Sequence, residues 1–381
     1  MASLPGVALK RTELYEAHRS LGARMVEFGG WEMPVEYSGI VDEHIAVRTR
    51  AGLFDVSHIG EIEVRGPKAL AFLQNLTCND VSRLQLYQAQ YSALMEANGS
   101  AVDDCVIHRL GEDHFFICVN AANTDKDYTH VLHHNPYEAS EVAIDNASAK
   151  YSQLALQGPA ATEIFRRLTD CDLTSLRTYW CCPAHCCGVE GLLARTGYTG
   201  EDGFEFYFPP SESRHVWNTL LDAGREKGLM PVGLGARNTL RLEAAYPLYG
   251  HELDAATTLL EANLGWICKL EKGPFLGSEA LVSQKERGTA RKLVGFEMTD
   301  RGIAREGYPV WIDGNAQGQV TSGSYAPYLK KNIGLAFVHA EFAQPEREMQ
   351  IEIRGKRVAA RQVAVPFYKR KKTDRAPGTL V

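Results

Sequence analysis

The chain reads as an α+β body followed by an all-β tail. Three observations predict this. Its 381 residues exceed one ordinary core and point to two or three domains. From Arg11 to Arg287 helical apolar spacing is interleaved with strand patterns. Beyond Arg287 come only short, turn-bounded strand signals, the texture of a small β-barrel or distorted sandwich.

The elements follow in order. Arg11–Leu21 has the apolar spacing of a helix, Met33-Pro34 interrupts the pattern, and Val41–Ala51 resumes it. Leu53–Arg65 alternates as strands do, and Pro67–Leu76 is a helix with proline at its start. Tyr91–Ile107 reads as strand, turn, strand around Asn98-Gly99, a strong hairpin signal. Glu112–Val119 is a strand and Asn123–Leu132 a helix. Tyr151–Ile164 reads strand, Gly158-Pro159, helix. Leu192–Thr196 and Phe204–Phe208 are strands. Gly197, Gly200 and Gly203 lie between them with Glu201-Asp202 at the tip, so a tight hairpin is expected. Ser211–Lys227 is an amphipathic helix. Gly235–Ala245 is another, with Arg237 and Arg241 on one face. The tail strands are Val294–Met298, Tyr308–Ile312, Gln317–Ser322, Ile333–Val338, Met349–Ile353 and Lys356–Val363.

Composition excludes several classes. A net charge of -6 argues against a nucleic-acid binder, and the run Lys369-Arg-Lys-Lys372 reads as a solvated tail. No stretch approaches a membrane span, and the N-terminus, a short disordered lead, lacks a secretory apolar core. Nine cysteines suit reduced thiols inside a cell. Cys181, Cys182, Cys186 and Cys187 lack a distant partner pair at zinc spacing, so no metal is expected. Gly233-Leu-Gly235 lacks the third glycine of a dinucleotide fingerprint, and no phosphate-binding Gly-Lys-Ser/Thr loop exists. The adjacent pair Ser57-His58 cannot form a nucleophilic relay and reads as structural.

Two segments carry chemistry. Asp103-Asp104 falls inside a strand, where aspartate is depleted. Alternation sends one inward and the other to solvent, and an inward carboxylate needs hydrogen bonds or a shifted pKa. Tyr198 and Glu205 flank the glycine-rich turn. A π-face beside a carboxylate suits a flat heterocycle with adjacent N–H donors.

Ordered motifs extend this reading. Phe54-Asp-Val-Ser-His-Ile-Gly60, Asp103-Asp104, Val119-Asn-Ala-Ala-Asn123, Gly197-Tyr-Thr-Gly-Glu-Asp-Gly-Phe-Glu205 and Gly235-Ala-Arg-Asn-Thr-Leu-Arg-Leu-Glu-Ala244 occur in that order. Thr321-Ser-Gly-Ser-Tyr325 and Leu329-Lys-Lys-Asn332 follow. From about Arg11 to about Arg370 the chain closely resembles the T-protein family of the glycine cleavage system. The resemblance implies a three-domain cloverleaf around a central folate channel. Its first domain would be discontinuous (1–50 with 148–280), the second inserted (51–147), and the third a C-terminal barrel (281–381). It implies an aminomethyltransferase of glycine catabolism and one-carbon metabolism. Such an enzyme moves the one-carbon unit from the aminomethyl-lipoyl arm of H-protein to tetrahydrofolate. The products are 5,10-methylenetetrahydrofolate, ammonia and dihydrolipoyl H-protein.

The resemblance assigns Asp104 as the catalytic carboxylate, with Asp103 its outward neighbour. Glu205 and Arg237 bind folate, while Tyr91, Tyr198, Asn120 and Arg370 line the pocket. Ile59 stands where many members carry methionine. Expected partners are lipoylated H-protein and tetrahydrofolate, with neither nucleic acid nor membrane. The expected setting is the cytoplasm of a prokaryote, or the mitochondrial matrix after loss of a transit peptide. Two related readings stay open. One is a folate-dependent demethylase, which usually comes fused to a flavin domain. The other is a non-catalytic folate-binding iron–sulfur assembly protein, whose Lys-Gly-Cys-Tyr signature is replaced here by Lys272-Gly-Pro-Phe-Leu-Gly277.

Overall fold

The computed structural model describes residues 8–370. The expected disordered lead at the N-terminus therefore lies largely outside the described residues, as do Lys371 and Lys372 of the basic run. Among the described residues no helix is long and apolar enough to cross a membrane.

Three larger sheets organise the chain, beside a two-stranded one of Arg24–Phe28 and Trp31–Glu36. A six-stranded sheet runs in the order Cys181–Cys186, Val189–Ala194, Gly203–Phe208, Ser152–Gln157, Ala51–Asp55, Leu229–Pro231. Its last pair is parallel and the others antiparallel. A five-stranded antiparallel sheet runs Ala89–Met95, Ala101–Gly111, His114–Val119, Gly60–Arg65, Ala143–Asn146. The tail closes into a six-stranded barrel of Arg291–Met298, Lys331–His339, Asn315–Ala326, Pro309–Ile312, Glu348–Ile353 and Lys356–Val363. All six tail strands read from the sequence are present, and closure removes the exposed edges that such short strands would otherwise leave.

Alternation decides what faces what. Every residue of Gly203–Phe208 is buried, so the strand is covered on both sides. Phe204, Phe206 and Phe208 share one core with Trp217 and Leu220 of the helix Ser213–Gly224. Burying each of these rings contributes about 1.5–3 kcal/mol. Glu205 and Tyr207 face the other way. There Tyr207 meets Phe116 of the five-stranded sheet edge-on at 5.2 Å, and its hydroxyl lies 3.1 Å from Cys118 Sγ. Glu205 is thereby set between the two sheets.

Several expectations need correction. Ala51 begins a strand rather than ending a helix, because the helix Ile40–Thr49 stops two residues earlier. Ala51–Asp55 also belongs to the six-stranded sheet, and the first strand of the second sheet is Gly60–Arg65. An insertion drawn from residue 51 therefore cuts a strand from its own sheet. Leu253, Leu259, Leu264 and Ile267 share a core with Ala93 and Met95 of the second sheet and with Leu335 and Phe337 of the barrel. That segment joins those two units rather than closing the first. Nor is the turn before Gly203 a tight hairpin. Pairing stops at Ala194↔Glu205, and residues 195–202 form a long loop.

Candidate active site

The long loop is held by buried charges. Arg48 Nη1 donates to Thr199 O at 2.7 Å and to Glu201 Oε1 at 2.8 Å, while its Nε donates to Glu243 at 2.9 Å. His44 Nε2 lies 3.1 Å from the same Glu243 oxygen. Arg195 forms a two-pronged pair with Asp202, and Arg370 reaches Asp202 at 3.3 Å. Glu201 and Asp202 are thus anchors and not a solvated tip. Arg370 comes to this loop from the far end of the chain, but its partner is a protein carboxylate.

Asp104 lies on Ala101–Gly111, paired with Ala93. Tyr91, two residues from Ala93 on the same face, reaches it diagonally. The Tyr91 hydroxyl donates to Asp104 Oδ2 at 2.9 Å, and Asn120 Nδ2 donates to Oδ1 at 2.9 Å. Burial and then the charge of Asp103 push the Asp104 carboxyl up to about 7. Both hydrogen bonds favour the anion and oppose that rise.

Asp103 corrects the sequence reading. It is fully buried, not outward. The strand is covered on both faces, so alternation exchanges one interior for another. Asp103 accepts N–H groups from the Asn120 backbone at 2.8 Å, Asn120 Nδ2 at 2.9 Å and Asn123 Nδ2 at 2.7 Å. Asn120 therefore bridges both acids.

Glu205 accepts from Gln153 Nε2 at 3.2 Å and from the Thr196 hydroxyl. Burial raises its carboxyl above the usual range, while Thr196 and Arg237 pull the other way. Arg237 lies on the helix Leu234–Glu243 with its guanidinium 4.8 Å from the Tyr198 ring centroid. Among the described residues it makes no hydrogen bond or salt bridge to a protein group. Tyr198 donates to Pro247 O and packs beside Tyr246 at 5.7 Å. Arg241, expected on the same face as Arg237, turns instead to Glu252 at 2.9 Å and Ser322 at 2.8 Å. Ile59 is half-buried against the core that includes Phe54, Ala236 and Leu240.

Tyr91 and Asn120 gather at Asp104, and Arg237 neighbours both Tyr198 and Glu205; the charge of Asp104 reaches Tyr198, which links the two groups. Tyr179 joins them unforeseen. Its hydroxyl is close enough to Tyr246, Glu205 and Asp104 to be pushed up by their charges, after burial itself. Its φ of +61° follows no local residue signal. Tyr246 was also missed, although it follows directly on the helix that carries Arg237.

Among the described residues the remaining motifs make no side-chain hydrogen bond to these groups. Ser57 Oγ bonds the Gln153 backbone, while buried His58 is driven down to about 4 chiefly by burial. They form no Ser–His relay. Cys181, Cys186 and Cys187 are buried thiols pushed up to about 12, and burial pushes Cys182 up as well. Thiols so raised are inert as nucleophiles. Among the described residues no three His, Cys, Asp or Glu side chains are grouped to hold a metal ion.

Comparison with known proteins identifies the family. Residues 14–272 match the GCVT N-terminal domain model, and residues 291–369 match the glycine cleavage T-protein C-terminal barrel domain. The aminomethyltransferase of Desulfitobacterium hafniense (strain Y51) is 51% identical over 362 residues, covering 95% of this chain and 99% of that protein. The aminomethyltransferase of Lysinibacillus sphaericus is 51% identical over 365 residues, covering 96% and 99%. The crystal structure of glycine cleavage system aminomethyltransferase T from Bartonella henselae superposes with a TM-score of 0.89 at 32% identity, covering 97% and 99%. By sequence, barrel and overall fold alike, the chain belongs to the glycine cleavage T-protein family.

Proposed function

We propose that this aminomethyltransferase moves a one-carbon unit from the aminomethyl-lipoyl arm of H-protein to tetrahydrofolate, with Asp104 as the catalytic carboxylate. The family supports the reaction class, and about 50% identity to aminomethyltransferases along nearly the whole chain favours it over a demethylase or an iron–sulfur assembly protein. The bacterial relatives favour a cytoplasmic setting. We take the folate-binding body as two interleaved units, with the five-stranded sheet inserted.

One observation supports the site reading. Asp104 and Glu205, from different sheets, both lie near enough to Tyr179, itself partly exposed, for their charges to raise its hydroxyl. The folate pterin would be held by Glu205, whose oxygens can each accept a further N–H. Arg237, near Glu205 but in no salt bridge among the described residues, would take a folate oxygen or carboxylate. Tyr198 and Tyr91 would flank the ring system. Transfer demands that N5 of the pterin face the aminomethyl carbon while water is kept away. The amine leaves as ammonia, and the carbon becomes cationic in character. Asp104 supplies negative charge near that carbon. A carboxyl poised at about 7 can also exchange a proton at working pH.

Ammonia release from aminomethylated H-protein, with and without tetrahydrofolate, tests the reaction. Release that depends on folate and yields methylenetetrahydrofolate is expected. Release indifferent to folate would overturn the reading.

A further inference from the structure

Asp127 plays no part in the reading above. It lies on the helix Thr124–His133 and is wholly buried. Among the described residues, neither of its side-chain oxygens meets an N–H or hydroxyl donor. Lys126 Nζ stands 3.9 Å from Oδ1. That ammonium is engaged elsewhere, donating to Val102 O at 2.6 Å and resting 4.1 Å from the Tyr249 ring centroid. One helical turn before it, Asn123 Nδ2 donates to Asp103 at 2.7 Å, which sets another buried carboxyl, Asp103, beside Asp127.

Two buried carboxylates in contact cannot both be charged, so the pair holds a proton. Counting donors decides where it resides. Asp103 accepts three N–H groups from Asn120 and Asn123. A proton on Asp103 would set an O–H among those donors. Asp127 accepts none, so a proton there opposes nothing.

We infer that Asp127 is a positioning residue: it is held as a carboxylic acid, donates its O–H to Asp103, and so fixes the Asp103–Asn120 assembly that orients Asp104. Its link to turnover rests on the assignment of Asp104 above. The groups facing Asp127 are Asp103, Asp104 and Cys105 from the strand, Lys126 from its own helix, and Tyr249. Those facing Asp104 are Asp103, Tyr91, Tyr179, Tyr198 and Asn120. Burial, and next the charge of Asp103, drive Asp127 up to about 11. With that proton retained, Asp103 keeps the single negative charge that raises its neighbour Asp104.

The sign of the pH effect follows. In the unfolded chain an aspartate loses its proton near pH 4, whereas folded Asp127 keeps it. Wild-type stability therefore declines as pH rises between those limits, relative to a side chain that cannot ionise. Urea unfolding of the full chain should show this for Asp127→Asn against wild type from pH 5 to pH 9. The relative folding constant should shift toward the variant by about tenfold per pH unit, the weight of one retained proton. A stability difference that does not change with pH would overturn the inference.

Turnover with saturating tetrahydrofolate and aminomethylated H-protein provides the second readout. Asp127→Leu removes the donor and should lower kcat about tenfold, with little change in KM for folate. Asp127→Asn offers an N–H to Asp103 in place of the O–H and should recover most of that loss. Wild-type kcat in Asp127→Leu would overturn the positioning role. If Asp127→Leu does not fold, the pH slope of Asp127→Asn alone decides. A retained slope beside a fully active Asp104→Asn would support the proton on Asp127 and overturn the catalytic assignment. A missing slope beside an inactive Asp104→Asn would do the reverse.

Discussion

Glu205 faces a space bounded by Gln153, Thr196 and Arg237, and its two protein donors leave each oxygen room for another. Glu205→Gln turns one acceptor into an N–H that opposes a pterin donor. Folate affinity should fall by about 1.5–3 kcal/mol, roughly tenfold to a hundredfold, while the rate at saturating folate changes less. Calorimetry giving unchanged affinity would remove Glu205 from the pocket. Asp104 makes a prediction about pH. Its two donors, Tyr91 and Asn120, match the ionised form, and its carboxyl is raised to about 7. If the anion is the working form, kcat/KM should rise with pH through about 7, and a profile flat from pH 5.5 to 8.5 would contradict this. The Asp103-Asp104 pair stood out in the chain as charges inside a strand pattern, and Glu205 as a carboxylate flanking the glycine-rich turn, whereas Arg237 was singled out by the family resemblance. The direction of Asp103 was not. Alternation separates two faces but does not say that a helix covers the second. Tyr179 carried no signal, because tertiary contacts set its left-handed backbone.

At the scale of elements, the helix Ala69–Leu76 shows how one segment completes another. Ala69, Phe72, Leu73 and Leu76 fall on a single buried stripe. The end of the helix leaves carbonyls without helical partners. Lys272 Nζ donates to Gln74 O at 2.7 Å, Thr77 O at 2.5 Å and Asn79 O at 2.7 Å, while Leu276 N donates to Asn75 O at 2.8 Å. The Lys272–Gly277 stretch is therefore a helix cap supplied from almost two hundred residues downstream. Lys272→Met leaves those half-buried carbonyls without their cation and should cost about 1–3 kcal/mol of stability. Thermal unfolding checks this, and an unchanged midpoint would contradict the cap. The helix itself was readable from its spacing, but its cap was not, because the partner is remote in sequence. The strand Cys181–Cys186 gives the complementary case. Its buried, raised thiols make no metal cluster among the described residues. Changing Cys181, Cys182, Cys186 and Cys187 together to alanine should spare aminomethyl transfer while lowering stability. Activity lost on chelation, with stoichiometric zinc in the wild type, would contradict that.

At the scale of the whole molecule, two barrel hydroxyls hydrogen-bond to a buried ion pair of the body. Arg241 meets Glu252 at 2.9 Å and the barrel's Ser322 at 2.8 Å, and Thr321 donates to the other Glu252 oxygen at 2.6 Å. Arg241→Met would strand Glu252 as an uncompensated buried charge and should cost about 3–5 kcal/mol in urea unfolding. A loss below 1 kcal/mol would mean that the pair does not bind the units together. The barrel was legible because each tail strand is short and bounded by turns. The boundary near residue 51 was not, because the strand Ala51–Asp55 is adjacent in sequence to one unit and paired in space with the other. The assembly matters because Asp104 and Glu205 come from different sheets, so only the folded whole brings the two carboxylates of the proposed site together. Single-turnover transfer from aminomethylated H-protein to tetrahydrofolate, measured for wild type and Asp104→Asn, tests that arrangement most directly. Asp104→Asn should bind folate as the wild type does and transfer at least about a hundredfold more slowly. Near-normal transfer by Asp104→Asn would contradict the account.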